Sequence, residues 1–375
     1  MIKKILRQLL KVFWIIPIRK NRIVFRSTHG LKYNCNPKYI CEYLQKNYPD
    51  EYELVWLFDK KALSSHAYLA NNGIKVCNQK SLIGLFNVIN AKIIIDNHGL
   101  MSYIPIRKNQ VVINTWHGSG SYKKEYVNST KEHKDYMHMM YETTTAFISS
   151  CERFSKCNLS QVYKTNIDKI LEIGTPRNDI FFGNKDDIKN KVKKELGIAD
   201  DKKIVLYAPT FRYDLSLEAY RLDTDTICKA CEERFGGSFV FATRLHPFVE
   251  NAYQEVGENV VKTNLYEDMQ ELLLAIDVLI TDYSSCMWDA SLAYKPCFIF
   301  AADLDNYMKM RNFYTPIEEW PFALAETEDK LIDNILSFNS EFYTKEVDRH
   351  HKELGSFEKG NACKAVAEYI YEKTR

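Results

Sequence analysis

A histidine set between a tryptophan and a glycine, where an apolar run stops, is the first candidate for chemistry. The run is Val111 to Ile113, and the segment around the histidine reads NTWHGSGSYKK, residues 114–124. An imidazole there is either the base of an active site or a packed ring that happens to titrate. Gly118 and Gly120 let backbone approach a substrate closely, and Ser119, Ser121, Lys123 and Lys124 follow them. G-S-G is not a phosphate fingerprint, because neither the Walker nor the G-x-G-x-x-G spacing is present.

Three further regions carry charged or hydroxyl groups just beyond apolar runs. In DVLITDYSS a buried-strand pattern, Val278 to Thr281, leads into Asp282-Tyr283-Ser284-Ser285 and then a helical stretch. Hydroxyls at a helix start either cap free backbone N–H groups or, with those donors, hold a phosphate, and local features leave both readings open. Asp289 reads as structural. In FATRLHPF, Arg244 and His246 stand two apart at a strand end, so both point to one side if the strand geometry persists. A guanidinium and an imidazole beside a diphosphate neutralise charge on a departing group. In EIGTPRND and LYAPTFRYD, prolines punctuate turns. Gly174 and Pro176 present Arg177 and Asp179, and Thr210 and Arg212 follow Pro209 in the same way.

The elements that must carry these groups follow an alternating pattern. RIVFRS, YELVWLF, AKIIIDN, QVVINTW, TTTAFISS and KILEIG read as strands, and NPKYICEYLQKNYP as a helix. A polar, lysine-rich stretch from Phe181 to Lys203 has the character of a join. The pattern then restarts with KIVLYAPT, SFVFATRL, NVVKTN, DVLITDYSS and PCFIFA, and a terminal helix closes the chain. Continuous Val/Ile/Leu strands between helices point to parallel sheets covered on both faces. The expectation is α/β: two Rossmann-like domains facing a cleft.

Bulk properties exclude several classes. The chain's 375 residues exceed one ordinary core and suit two domains. A balance of 51 basic against 49 acidic side chains lacks the basic excess of a nucleic-acid binder. The 10 cysteines show no disulfide framework. Cys228 and Cys231 form a C-x-x-C without a second pair, so the spacing reads as two small residues on one helix face, not as a zinc site. Free thiols suit a reducing compartment. At the N-terminus, Ile2, Ile5, Leu6, Leu9, Leu10, Phe13 and Trp14 recur at helical spacing among Lys3, Lys4, Arg7 and Lys11. Interrupted by Lys11 and stopped by Pro17, this stretch is too short for the roughly 20 residues a membrane span takes. A basic amphipathic helix lying on a membrane surface is favoured over a helix packed on the domain.

Together these segments resemble the CDP-glycerol glycerophosphotransferase family, the teichoic-acid primases and polymerases. The likeness is carried by NRIVFRSTHGLKYNCNPKYI, TWHGSGSYKK, GTPRND, YAPTFR, RLHP, YEDMQELLLAIDVLITDYSS, KPCFIFAADLDNY and GNACKAVAEYI, in that order. It implies a GT-B fold with residues 1–20 as the membrane-surface helix. Residues 21–182 are then the acceptor domain, 183–355 the CDP-donor domain, and 356–375 a terminal helix returning toward the first domain. It also implies His117 as general base, His246 at the donor phosphates, and Ser284 and Ser285 on the diphosphate. Arg244, Asp282, Thr210, Arg212, Gly174, Pro176, Arg177 and Asp179 are grouped with the donor, and Gly118, Ser119, Lys123 and Lys124 with the acceptor. Two departures stand out. Pro321-Phe322 replaces a usual Pro-Gly, and Ser119-Gly120-Ser121 replaces a stretch where many members carry proline.

The expected reaction moves glycerol-phosphate, or a related unit such as ribitol-phosphate, from a CDP-alditol to a hydroxyl. The acceptor is an undecaprenyl-diphosphate-linked sugar or a growing teichoic-acid or capsule-type polymer, and CMP leaves. No catalytic metal is expected, with free Mg²⁺ at most stimulatory, and the enzyme should work peripherally at the cytoplasmic face of the membrane. The alternative is a GT-B glycosyltransferase using a nucleotide-diphosphate sugar. A silent membrane-bound scaffold is the reading from another class.

Overall fold

The computed structural model describes residues 2–124, 130–131, 137, 141–210, 221–245 and 260–375. The chain divides into two compact units. One comprises Met1–His117, Ser129–Asp179 and Phe357–Arg375, and the other Gly118–Asn128 and Ile180–Ser356.

The first unit is built on seven parallel strands: β1 (Arg19–Arg26), β2 (Glu53–Phe58), β3 (Lys75–Asn78), β4 (Ala91–Asp96), β5 (Val111–Asn114), β6 (Ala146–Ser149) and β7 (Ile170–Glu172). Their spatial order is β3-β2-β1-β4-β5-β6-β7. β4, β5 and β6 are buried along nearly their whole length, as the unbroken Ile and Val runs require when helices cover both faces. One face packs Ile23, Phe25, Trp56 and Phe58 under the helix Cys35–Asn47 and the terminal helix Ala362–Thr374. The other packs Val24, Val55, Ile94 and Val112 against Val88 of the helix Leu82–Asn90, whose first turn is capped by the Ser81 hydroxyl.

The second unit repeats the plan with six parallel strands: β8 (Lys202–Tyr207), β9 (Ser238–Thr243), β10 (Val260–Lys262), β11 (Val278–Thr281), β12 (Cys297–Phe300) and β13 (Ala323–Ala325). The order is β10-β9-β8-β11-β12-β13. In both sheets the strand order reverses once, between β1 and β4 and between β8 and β11. α/β folds bind ligands outside the carboxyl ends of the strands at such reversals. The lysine-rich join folds as the helix Asp186–Leu196, with Lys189 and Lys191 paired to Asp277 and Glu271 of the same unit. Gln270 donates to Asp289 at 3.0 Å, linking the helices Met269–Ala275 and Cys286–Ser291, so Asp289 is structural.

Edge strands β3 and β13 were not anticipated. The N-terminal stretch forms the α-helix Ile2–Leu9 followed by a 3₁₀ turn, Leu10–Ile15. Ile5, Leu9, Val12, Trp14 and Ile15 are exposed along it, while Leu10 is buried. Among the described residues no helix is long and apolar enough to cross a membrane.

The terminal helix is started by a residue far away in sequence. Asn361, at its N-cap position, makes no side-chain cap bond. Instead the Asp179 carboxylate accepts from the backbone N–H of Ala362 at 3.0 Å and of Cys363 at 2.7 Å. Nearby, Glu358 accepts from the Thr175 N–H and hydroxyl and from the Asn178 amide. Asp179→Ala should therefore cost about 1 kcal/mol, the usual worth of a lost cap. Urea unfolding of the full chain reads this directly, and Asp179→Asn should recover part of the loss.

Candidate functional site

The carboxyl ends of β1, β4 and β5 lie side by side, and each releases a His-Gly pair: His29-Gly30, His98-Gly99 and His117-Gly118. The His98 and His117 rings stack with centroids 3.9 Å apart and planes within 2°. His29 leans on the other neighbour, 4.5 Å from His98. Trp116 stacks on His117 and sits among Tyr141, Phe154 and Tyr163. His29 and His98 were not singled out from the sequence, although the threefold recurrence of His-Gly after a strand was a usable signal.

Beneath the rings lies a buried ion pair. Arg26, ending β1, donates to Asp96, ending β4, at 2.8 Å, and both side chains are almost fully enclosed. Arg26 also donates to Gln79, and the other Asp96 oxygen accepts from the His98 N–H at 2.6 Å. One carboxylate thus closes the reversal point and shapes the loop that carries His98.

His117 is held by its backbone as firmly as by its ring. Asn36, fully buried, donates to the carbonyls of Thr115 and Trp116 and accepts from the Arg177 N–H. The Arg177 guanidinium donates to the His117 carbonyl at 2.6 Å and to the Cys35 sulfur at 3.3 Å. The turn is forced: Trp116 has φ 53°, a left-handed value that disfavours a side chain. Thr28, His29 and Cys35 share that region, so four of the eight such non-glycine residues among those described lie in this loop or touch residues that bond or stack on it. Each costs on the order of 1–3 kcal/mol and persists only where surrounding bonds over-determine it.

The ring itself has a defined tautomer. Its Nδ1 lies 2.8 Å from the Asn97 carbonyl, which can only accept, so Nδ1 carries the proton and Nε2 offers a lone pair. His117 is exposed to solvent at the end of this turn. Crowding by the neighbouring groups nevertheless draws its pKa down to about 4 through loss of hydration, the Asn97 bond opposing and Arg177 reinforcing the fall. His29 and His98 are lowered too, chiefly by burial. At neutral pH the ring is the unprotonated acceptor that proton abstraction needs.

Several expected roles are corrected by this arrangement. Arg177 is 5% exposed and clamps the His117 loop, and Asp179 caps the terminal helix; neither is presented to a ligand from a loop, and neither belongs to the second unit. Gly174, with φ +83°, lies against the Phe357 carbonyl and Glu358, and Pro176 is buried beside Cys363, so these too are joints of the first unit. Gly118, Ser119, Lys123 and Lys124 belong to the second unit. Ser119 is buried, Lys123 bridges to Phe313 through backbone, and the Lys124 N–H donates to the Asn312 carbonyl. Gly120 is obligatory there, since a Cβ would come within 2.4 Å of Tyr122 and 2.8 Å of Trp288. Phe322, at the Pro-Phe departure, is buried against Tyr343 and His350.

The donor-side candidates sit at the second reversal. Asp282, fully buried, accepts the Thr210 N–H with both oxygens at 2.8 Å and the Tyr283 N–H, so it ties the loop after β8 to the end of β11. It positions this loop and is not itself turned to an anion. Ser284 accepts weakly from the Cys286 N–H at 3.4 Å, and Ser285 makes no cap bond. Arg244 donates to the carbonyls of Thr263 and Tyr266, and burial lowers its pKa. His246 and Arg212 lie outside the described residues. All ten cysteines are free, burial pushes the Cys228 thiol up to about 12, and no metal-binding cluster occurs among the described residues.

Comparison with known proteins adds the chemistry of relatives. The profile of the CDP-Glycerol:Poly(glycerophosphate) glycerophosphotransferase family matches residues 8–372. A teichoic acid poly(glycerol phosphate) polymerase of Staphylococcus epidermidis is 30% identical over 384 residues, covering 95% of this chain and 51% of the relative. A teichoic acid poly(ribitol-phosphate) polymerase of Bacillus spizizenii is 29% identical over 352 residues, covering 86% of this chain and 52% of the relative. The chain spans about half the length of these two relatives. A structure of the wall teichoic acid polymerase TagF soaked with CDPG matches with a TM-score of 0.84 at 25% identity, over 99% of this chain and 94% of that one.

The lowered pKa has a sign that can be tested. The folded ring takes a proton only near pH 4, whereas the unfolded one does so at its ordinary value of 6.5. Any stability tied to this group is therefore complete above pH 6.5 and lost as pH falls from there toward 4. Imidazole NMR should show His117 neutral at pH 5.5, with its proton on Nδ1.

Proposed function

The chain belongs to the CDP-glycerol:poly(glycerophosphate) glycerophosphotransferase family, and on that basis we propose that it transfers an alditol-phosphate from a CDP-alditol to a hydroxyl, releasing CMP. The donor is CDP-glycerol or a relative such as CDP-ribitol. The acceptor is a lipid-linked sugar, of the undecaprenyl-diphosphate type, or a growing teichoic-acid or capsule-type chain. The observation that carries the chemical part is the His117 tautomer: a ring whose Nδ1 is committed to the Asn97 carbonyl and whose Nε2 is open.

In this mechanism the acceptor hydroxyl gives its proton to His117 Nε2 as its oxygen attacks the β-phosphorus of the donor. The bond from that phosphorus to the bridging oxygen breaks, and CMP departs. Positioned base catalysis contributes about 10²–10⁴-fold, and stabilisation of charge on the phosphates must provide the rest. Arg244, Ser284, Ser285 and the Thr210 loop are the described groups suited to that task, with His246 and Arg212 assigned to it from the sequence. Arginine and hydroxyl donors meet the charge without a bound cation, so Mg²⁺ is assigned no step.

Lipid-linked acceptors are presented at a membrane surface. The exposed Leu9, Val12, Trp14 and Ile15 beside Lys11 give the N-terminal segment the composition of an interfacial anchor. Placement at the cytoplasmic face follows from this reading and from the nucleotide-linked donor.

His117→Ala should lower CMP release from CDP-glycerol with a membrane acceptor by about 10²–10⁴-fold while leaving CDP binding, read by calorimetry, nearly unchanged. Undiminished turnover removes the base. A calorimetric preference for UDP or GDP over CDP favours the glycosyltransferase alternative. Separately, Leu9→Asp with Trp14→Asp should abolish co-flotation with phosphatidylglycerol vesicles, and persistent flotation would reject the anchor.

A further inference from the structure

We propose that His98 is a positioning residue for His117, holding the base in one orientation through a ring stack that Asn97 locks from both of its carbonyl groups. This rests on the reading of His117 as the base, and it goes further by assigning a task to a second histidine.

Asn97 is the centre of the device. Its backbone carbonyl accepts from His117 Nδ1 at 2.8 Å, and its side-chain oxygen lies 2.7 Å from His98 Nδ1. The amide's orientation is fixed independently: its nitrogen donates to the Ser27 hydroxyl at 3.1 Å, and its oxygen also accepts the Thr28 N–H at 3.0 Å. His98 Nδ1 must therefore carry a proton, just as His117 Nδ1 does. Two neighbouring imidazoles are thus set in the same tautomer by one residue, with their planes 2° apart.

The stack then restricts what the Asn97 bond alone cannot. A hydrogen bond at Nδ1 fixes one atom of the His117 ring but leaves a rocking motion about it. A flat neighbour at 3.9 Å removes that motion, because tilting either ring drives it into the other. His98 is itself held: its backbone N–H bonds the Asp96 carboxylate, its Nδ1 bonds the Asn97 side chain, and His29 lies against it at 4.5 Å. Aim matters for a base: misplacement by about 1 Å can cost 10²-fold.

Charge explains why the partner must stay neutral. The groups facing the stack are His29, Arg26, Asp96 and Arg177. Arg26 is matched by Asp96, while Arg177 adds positive charge beside His117. A second proton on His98 would repel one arriving on His117, so the pair is built to take one proton, on the ring that meets substrate.

The test uses the full chain and two readouts. His98→Ala should lower kcat for CMP release by roughly ten- to a hundredfold with KM for CDP-glycerol nearly unchanged. In imidazole NMR of the same variant, the His117 ring resonances should shift and broaden as the ring gains freedom about its Nδ1 bond, with the proton still on Nδ1. His98→Phe, which keeps a flat ring, should recover most of kcat. A purely structural role would not move the His117 resonances of a folded variant. Wild-type kcat with unmoved His117 resonances in His98→Ala overturns the proposal. If that variant lacks a cooperative melt, His98→Gln takes its place under the same two outcomes. Full activity of His117→Ala would instead remove the base itself, so the two failures are distinct.

Discussion

Each sheet must close the gap where its strand order reverses, and in each unit one buried carboxylate does so. Asp96 bonds the guanidinium from the end of β1 and its own loop's N–H. Asp282 bonds the backbone of the loop after β8 and its own neighbour Tyr283. Parallel strands end with unpaired backbone groups pointing into the loops that follow, and a buried acceptor with two oxygens can satisfy several at once. The two solutions differ in charge. The first pairs its carboxylate with Arg26 and leaves a near-neutral floor for histidines. The second pairs it with N–H dipoles.

That floor determines what the imidazoles can be. Neutral rings tolerate burial far better than cations, so three histidines can be brought together over a compensated ion pair without mutual repulsion. Loss of hydration where the ring meets its neighbours holds His117 in its basic form at neutral pH, at the cost of making it a weaker base. In the proposed role, positioning would carry more of the work than basicity, and much structure does converge on this one peptide. Asn36, Arg177 and Asn97 each bond the segment from Thr115 to His117, and the left-handed Trp116 shows the conformation that results.

Much of the architecture was legible because hydrophobic runs dictate buried parallel strands. The central strands of both sheets stand where the Val/Ile/Leu runs placed them. The edge strands β3 and β13 escaped, since KVCN and ALA carry little β-branched signal and are fixed by pairing to one neighbour alone. His117 was legible by its place after a strand. The sequence groups Arg177 and Asp179 with the donor, whereas the structure bonds them to the His117 carbonyl and the start of the terminal helix. A turn sequence shows that a side chain leaves the strand; it does not show whether the chain returns to meet it. Here it returns: Glu358 and Ala362 arrive more than 180 residues later.

The chain passes from the first unit to the second at the peptide after His117. On one side of that peptide the carbonyl is gripped by Arg177 in the first unit. On the other, within the second unit, Gly120 fits under Tyr122 and Trp288, and Tyr122 bonds His350 at 3.0 Å and stacks edge-on against Trp320. His117 therefore lies where main chain is restrained both before and after it. An exposed loop would have given the same imidazole water contact but not a fixed aim. For the proton acceptance proposed for His117, fixed aim is the property the fold has to supply.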